Sequence, residues 1–383
     1  MDRPRRAAPG GQPRLHGARR GRGRARRRAA VPAATPRAGV TVLVTGGSGL
    51  VGSHVISALK SAGETVRALV HPRSRDTVVA LGAEPIEGDT RDPDAWRVAA
   101  AGARAIVHAA AIVAAKASHE EFFAVNVGGT GQAITAAREA GARLVHVSSV
   151  AVYGRTRALT AGAGGAGGAG GAGVDEDSPF GELQPHDFYA QSKRRAEEVL
   201  WEEVARGGLA ATVIRPNVIY GEYDRLFSPR VVQTLRLGFI LQVGPGTNRL
   251  SCVYAGNVAA ALVRAIDAPA ASGRAYNVTD DGPASLTQRG FVDAFAQALG
   301  VRVRRVKLPY SVARFVVDWW VRAQFLLRPG TYPGVGGQAV RFLAGDNPYS
   351  SARARRELGW EPPVHPIEAV KRTVTWVVKR EHV

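Results

Sequence analysis

The chain has 383 residues, 45% hydrophobic and 7% aromatic, with a formal net charge of +19; that length suits two domains or one large domain carrying a lobe, and the aromatic content is too low for a nucleic-acid stacking surface. Twelve arginines against one aspartate fall in residues 1–38 and leave +8 on the body, so the basicity sits in a tail rather than on a folded face, and no specific nucleic-acid partner is expected. One cysteine, Cys252, excludes an internal disulfide or a cysteine zinc site, and the nine histidines show no paired ligand spacing; no metal is expected.

Taken in chain order, residues 1–38 are rich in Arg, Gly, Pro and Ala and have no hydrophobic period. They cannot bury enough to offset their ordering entropy and are expected to be disordered. They read as an upstream extension without function, a tail for anionic surfaces, or an Arg-rich transit segment. No apolar leader follows, and the apolar run 105–115 is too short to span a bilayer, which takes about 20 residues. A soluble, cytoplasmic protein without a transmembrane span is expected.

From residue 40 the pattern changes. Residues 40–45, 65–70, 84–87, 105–108, 144–148 and 211–214 read as strands, and residues 51–62, 122–140 and 188–205 as helices between them. Continuous runs such as Val-Thr-Val-Leu-Val suit strands buried on both faces, so the alternation predicts an α/β fold, a Rossmann-type doubly wound parallel sheet. Residues 159–173 repeat Gly-Gly-Ala and read as a flexible surface loop. Residues 308–327 read as a helix with Pro309 in its first turn and Arg314, Asp318 and Arg322 as one polar stripe on an otherwise apolar cylinder. Such a helix is buried in a lobe, lines an apolar substrate cleft, or lies on a membrane or partner surface.

Three motifs carry chemistry. Thr45-Gly46-Gly47-Ser48-Gly49-Leu50-Val51-Gly52 leaves a strand and opens a helix. Gly46 and Gly49 permit a tight turn close to a pyrophosphate, Gly52 permits close helix packing, and the free amides from Leu50 and Val51 onward face the phosphates. The end of the second strand reads Val70-His71-Pro72-Arg73-Ser74-Arg75. It offers no carboxylate for a ribose diol, and His71 and Arg73 favour NADP over NAD. Asp89, after the third strand, either accepts from an adenine amino group or caps its own loop.

The second motif, Tyr189-Ala190-Gln191-Ser192-Lys193, sets a phenol and an ammonium on one helix face. A phenol of pKa about 10 is a poor acid–base group at neutral pH until a nearby cation favours its phenolate. The third, Ser148-Ser149-Val150-Ala151, ends a parallel strand, where ligands bind. Ser149, or alternatively Ser148, would hydrogen-bond a substrate oxygen. Asn126 either anchors a water that relays protons to Lys193 or caps a helix start. No GxSxG elbow is present, which disfavours a hydrolase.

Together "TGGSGLVG", "EGDTRD", "VHAAA", "FFAVNVGGT", "SSVAVYG", "YAQSK", "IRPNVIYG" and "LSCVYAGNVAAA" resemble, in order, the extended short-chain dehydrogenase/reductase superfamily in its NAD-dependent epimerase/dehydratase branch. The resemblance implies a Ser149/Tyr189/Lys193 catalytic set assisted by Asn126. It implies a dinucleotide lined also by Thr90, Ala109, Ala110 and Ala111, with Arg215 and Pro216 passing along the nicotinamide and Val218 near it. It places Tyr153 and Arg249 toward substrate and suggests a homodimer through helices 122–140 and 188–205. The expected organisation is a tail (1–38), an NAD(P)-binding domain (39–216) and a mainly substrate-binding lobe (217–383), with 257–280 returning to the sheet.

The apolar, Trp-containing helix resembles 3β-hydroxysteroid dehydrogenase and dihydroflavonol reductase relatives. The expected activity is oxidation or reduction of a secondary alcohol or ketone on a bulky apolar molecule. Alternatives are a nucleotide-sugar epimerase or dehydratase, and a non-catalytic NAD(P)-sensing protein. Members of the last class can lose Tyr or Lys, and this chain keeps both.

Overall fold

The computed structural model describes residues 41–113, 117–156, 173–327, 342–343 and 345–381. The Arg-rich segment, and the Gly/Ala segment apart from Gly173, lie outside the described residues.

Seven parallel strands form the central sheet in the order β10-β6-β5-β4-β1-β2-β3. They are β1 (Thr41–Thr45), β2 (Thr65–Val70), β3 (Glu84–Glu87), β4 (Ala103–His108), β5 (Arg143–Val147), β6 (Ala211–Pro216) and β10 (Arg274–Val278). Alternation along each strand sends neighbouring side chains to opposite faces. Val42, Val44, Val107 and Val145 pack beneath helices α1 (Leu50–Ser61) and α8 (Ala255–Asp267). Leu43, Ile106 and Leu144 pack on the other face against α3 (Pro93–Ala100), α5 (Gly129–Ala140) and α6 (Phe188–Ala205). Burial on both faces explains why these strands read as unbroken apolar runs. The strand order reverses between β1 and β4, which opens a crevice at their carboxyl ends.

Short helices α2 (Arg75–Ala80) and α4 (His119–Phe123) complete this part. The helix expected at 122–140 starts earlier, because Ser118 and Glu121 form a reciprocal capping box, and a π-helical turn, Ala124–Gly128, interrupts it before α5.

Much of the remaining chain packs around a separate core cluster. Helices α7 (Phe227–Arg236), α9 (Gln288–Leu299) and α12 (Pro366–Glu381) share a core with parallel ribbon β7 (Val218–Tyr220) and β9 (Cys252–Tyr254). Cys252 is buried there, and burial pushes its thiol well up. A second parallel ribbon pairs β8 (Phe239–Val243) with β11 (Arg304–Leu308). Helix α10 (Tyr310–Leu327) follows β11, and α11 (Ala352–Leu358) leads to Trp360, whose indole donates to the Asn257 carbonyl at 2.9 Å.

Helix α10 corrects the expectation of burial. Ala313, Tyr310 and Val317 pack on Val243 and Leu308, but Phe315 is 71% exposed, Trp319 64% and Leu326 84%. The helix lies along the ribbon and not within the core, so its flank finds no protein partner among the described residues. The start of the segment expected as helix, Leu308, belongs instead to β11.

Candidate active site

The crevice begins at the turn between β1 and α1. Gly46 has φ +69, and a Cβ on it would lie 2.8 Å from the Ala110 backbone nitrogen, so the strand end can press on β4 only with glycine there. A Cβ on Gly52 would lie 2.2 Å from the Gly46 carbonyl oxygen, which makes the helix pass directly over the turn. The Gly49 amide donates to the Gly46 carbonyl at 2.9 Å. No side chain among the described residues caps α1, so its first amides, from Leu50 and Val51 onward, remain for an external acceptor. The turn therefore fits a pyrophosphate, and the backbone of Ala109 and Ala110 lies directly against Gly46.

His71 and Arg73 are exposed beyond β2, and Arg75 pairs with Glu87 at 3.2 Å. Asp89 is gripped by Arg91, whose Nε donates to Oδ1 at 2.8 Å and Nη2 to Oδ2 at 2.7 Å; this holds its carboxyl down at about 2. Oδ1 also accepts from the Arg91 amide at 2.8 Å, so it is Oδ2 that keeps a lone pair for a further donor. Thr90 lies against the start of α5.

The reactive groups gather at the β5 and α6 ends. Asp187 caps α6 by accepting from the Ala190 amide at 3.0 Å. Tyr189 follows, its phenol pushed up by burial and drawn back by the Ser149 hydroxyl beside it. Ser149 also accepts from the Ala151 amide at 3.2 Å. The structure thus brings Ser149, and not Ser148, to Tyr189; the Ser148 hydroxyl is buried without a partner among the described residues.

One turn along, Lys193 is buried and donates to the Val147 carbonyl at 2.8 Å. Desolvation pushes its ammonium down to about 8, opposed by the charge of Glu197. Asn126 sits in the π turn and does not cap a helix. Its Oδ1 accepts from the Ile112 amide at 2.8 Å, and its Nδ2 donates to the Ser192 hydroxyl at 2.9 Å. It ties the loop after β4 to the residue before Lys193.

Tyr153 does not reach a ligand surface. It is fully buried, its hydroxyl donates to Asn277 and accepts from Arg215, each at 2.9 Å, and its phenol is pushed up to about 12 by burial. Its expected substrate role is corrected to a structural one. Arg249 is exposed, with its backbone amide held by Asp346 at 2.7 Å. Pro216 ends β6 and Val218 opens β7, bracketing Asn217, whose Oδ1 accepts from the Val218 amide at 2.9 Å.

Sequence reasoning missed two features. His108 and His146 are register partners on β4 and β5 and stack at 5.6 Å. Both are fully buried; desolvation, with Lys193 nearby, pushes His108 down to about 3 and His146 well down. The His108 Nδ1 shares a 2.9 Å hydrogen bond with the Thr45 hydroxyl. The signal was a histidine near the end of two apolar strand runs. The second is a buried ion pair, Arg215 with Glu197: Nε to Oε1 at 3.0 Å and Nη2 to Oε2 at 2.5 Å.

Residues 42–279 match the NAD dependent epimerase/dehydratase family. The chain is 32% identical to a 4-hydroxy-2-methyl-3-oxo-4-farnesyl-3,4-dihydroquinoline-1-oxide ketoreductase of Stigmatella aurantiaca, over 83% of this chain and 90% of that one. It is 30% identical to a 3 beta-hydroxysteroid dehydrogenase/Delta 5-->4-isomerase of Mycobacterium tuberculosis, over 84% and 86%. The fold is that of a UDP-glucose-4-epimerase from Stenotrophomonas maltophila solved with bound NAD, with TM-score 0.66, 20% identity, and coverage of 90% and 99%.

Proposed function

The chain belongs to the NAD-dependent epimerase/dehydratase family as an enzyme of the extended short-chain dehydrogenase type, and from that premise we propose that it reduces a ketone, or oxidises the matching secondary alcohol, on a bulky apolar substrate. The observation that carries this reading is the placement of the Ser149 hydroxyl beside the Tyr189 phenol, one helical turn from the buried Lys193 ammonium. The two relatives above supply the substrate class, since their names specify a farnesylated ketone and a steroid alcohol.

The bound dinucleotide supplies or accepts the hydride. In the reduction direction, Ser149 and Tyr189 hold the carbonyl oxygen, and Tyr189 delivers the proton as charge develops there. The Lys193 ammonium stabilises the phenolate left behind. The buried wall behind it excludes water and strengthens that attraction. Asn126 positions this assembly through Ser192. The turn from Gly46 to Gly52 holds the pyrophosphate, Asp89 and Thr90 flank the adenosine half, and Pro216 and Val218 lie along the nicotinamide.

The exposed His71 and Arg73, with no carboxylate at the end of β2, support NADP over NAD; tighter binding of NADP+ than NAD+ in calorimetric titration is the expected result. Residues 217–383, apart from the return of 257–280 to the sheet, form the substrate lobe in this reading, with Arg249 facing substrate. A groove along α5 and α6, lined by Ile134, Thr135, Val199 and Glu203, suits a homodimer contact. No helix among the described residues is long and apolar enough to cross a membrane, and a cytoplasmic location accords with cofactor supply.

The test is a panel of steroid-type and long-chain ketones followed by NAD(P)H absorbance. Tyr189→Phe should lower turnover by about 10²–10⁴-fold. Equal turnover by wild type and variant sinks the catalytic assignment. Product formed without net cofactor consumption points to epimerisation instead.

A further inference from the structure

We propose that helix α10 and the uncovered face of the β8–β11 ribbon form a docking surface for an anionic lipid bilayer. Val312, Phe315, Val316, Trp319, Trp320 and Leu326 recur at helical spacing and all are exposed, so they line one stripe of the helix. This stripe is adjacent to, and distinct from, the face where Tyr310, Ala313 and Val317 meet Val243 and Leu308.

Strand alternation extends the surface. Phe239 and Leu241 share a face with Val243, and Val306 shares one with Leu308, its register partner being Leu241. Helix α10 covers the Val243–Leu308 end of that face and leaves Phe239, Leu241 and Val306 exposed. Helix stripe and ribbon face therefore form one apolar surface, beyond the scattered exposure normal on a soluble protein.

Charge selects the occupant. Residues 301–327 carry six basic side chains against one acidic residue, Asp318. Arg304 shares the ribbon face of Val306 and Leu308 and Arg322 borders the helix stripe, whereas Lys307 and Arg305, which pairs with Asp293, lie on the ribbon's other face. A second copy seated on this surface would bring two such clusters together, which is repulsive. An apolar stripe bearing two tryptophans with cations at its rim matches a helix lying in the headgroup boundary of an anionic leaflet. The helix lies on the membrane and does not cross it. The inference depends on no catalytic step; it also suits the apolar substrate proposed above, which would partition into the same leaflet.

The test uses the full-length protein and vesicles of phosphatidylcholine with phosphatidylglycerol at three to one, read by co-sedimentation. Wild type should pellet with these vesicles and much less with pure phosphatidylcholine. Phe315→Ser/Trp319→Ser should lower the partition coefficient by roughly tenfold or more with the thermal midpoint unchanged. Both proteins carry the same Arg-rich residues 1–38, so the difference isolates the helix. Equal binding by the variant overturns the proposal and assigns attachment to the tail. Absence of wild-type binding, or self-association that the variant abolishes without any vesicle binding, overturns it as well.

Discussion

Two buried cations feel the same carboxylate, Glu197, and the protein treats them differently. Arg215 meets Glu197 through a forked pair of hydrogen bonds, gives a third to Tyr153, and is held well above its ordinary pKa. Lys193, four residues before Glu197 on α6, makes its hydrogen bond to a neutral carbonyl and is pushed down to about 8. Behind it stand two imidazoles kept neutral by burial, not a carboxylate. A fully paired charge fixes the position of a helix. A poorly paired one remains available to stabilise charge that appears during reaction.

The sharpest way to break this contrast is Lys193→Met. Turnover should fall by about 10²–10⁴-fold, while the thermal midpoint at pH 7 stays level or rises. The sign follows from linkage. The unfolded lysine keeps its proton up to about 10.5 and the folded one only to about 8, so its burial cost is full below pH 8 and fades between those values. Wild type should therefore gain stability on going from pH 8 toward 10.5, and the variant should not. A variant that melts earlier at pH 7 would place Lys193 with Arg215 among structural charges.

Glu197→Gln should produce the opposite profile. It strands Arg215 without its counter-charge, and chemical denaturation should show a loss of about 3–5 kcal/mol. Replacing both partners, Glu197→Leu with Arg215→Met, should recover most of that, because two apolar groups leave no buried charge. If the single variant loses under about 1 kcal/mol, the pair is not the anchor of α6.

The smallest effect is the acid limb. His108 and His146 take up protons near 6.5 when unfolded but resist doing so when folded. Their contribution is whole above pH 6.5 and is lost as pH falls, for His108 toward about 3. Each adds a slope of about 1.4 kcal/mol per pH unit. In melting curves from pH 7 to 5, His146→Leu should flatten the slope by about half, since neither ring nitrogen has a hydrogen-bond partner among the described residues.

The parallel sheet was legible because its central strands are buried on both faces, and the strands at 65–70 and 84–87 and the helix at 188–205 have the bounds read from the sequence, although the edge strand 84–87 is itself no more than half-buried. The i, i+4 spacing of Tyr189 and Lys193 was legible for the same reason: it is local. What escaped depends on neighbours far along the chain. Nothing in Val-Tyr-Gly says that the Tyr153 hydroxyl will be consumed by Arg215 and Asn277. Nor does a run of apolar residues say whether helix α10 faces protein or solvent, because hydrophobicity is the same argument for either. The start of α4 is a different case, since Ser118-His119-Glu120-Glu121 is a local capping signature that the reading of hydrophobic period alone passed over.

The sealed position of Cys252 has a practical use. With one sulfhydryl in the whole sequence and that one enclosed in the lobe and hard to ionise, the native chain offers labelling reagents no reactive handle. A cysteine introduced at an outward position such as Leu326 would become a unique attachment point for a spin label or fluorophore, and depth and motion could be followed there without first removing any natural residue.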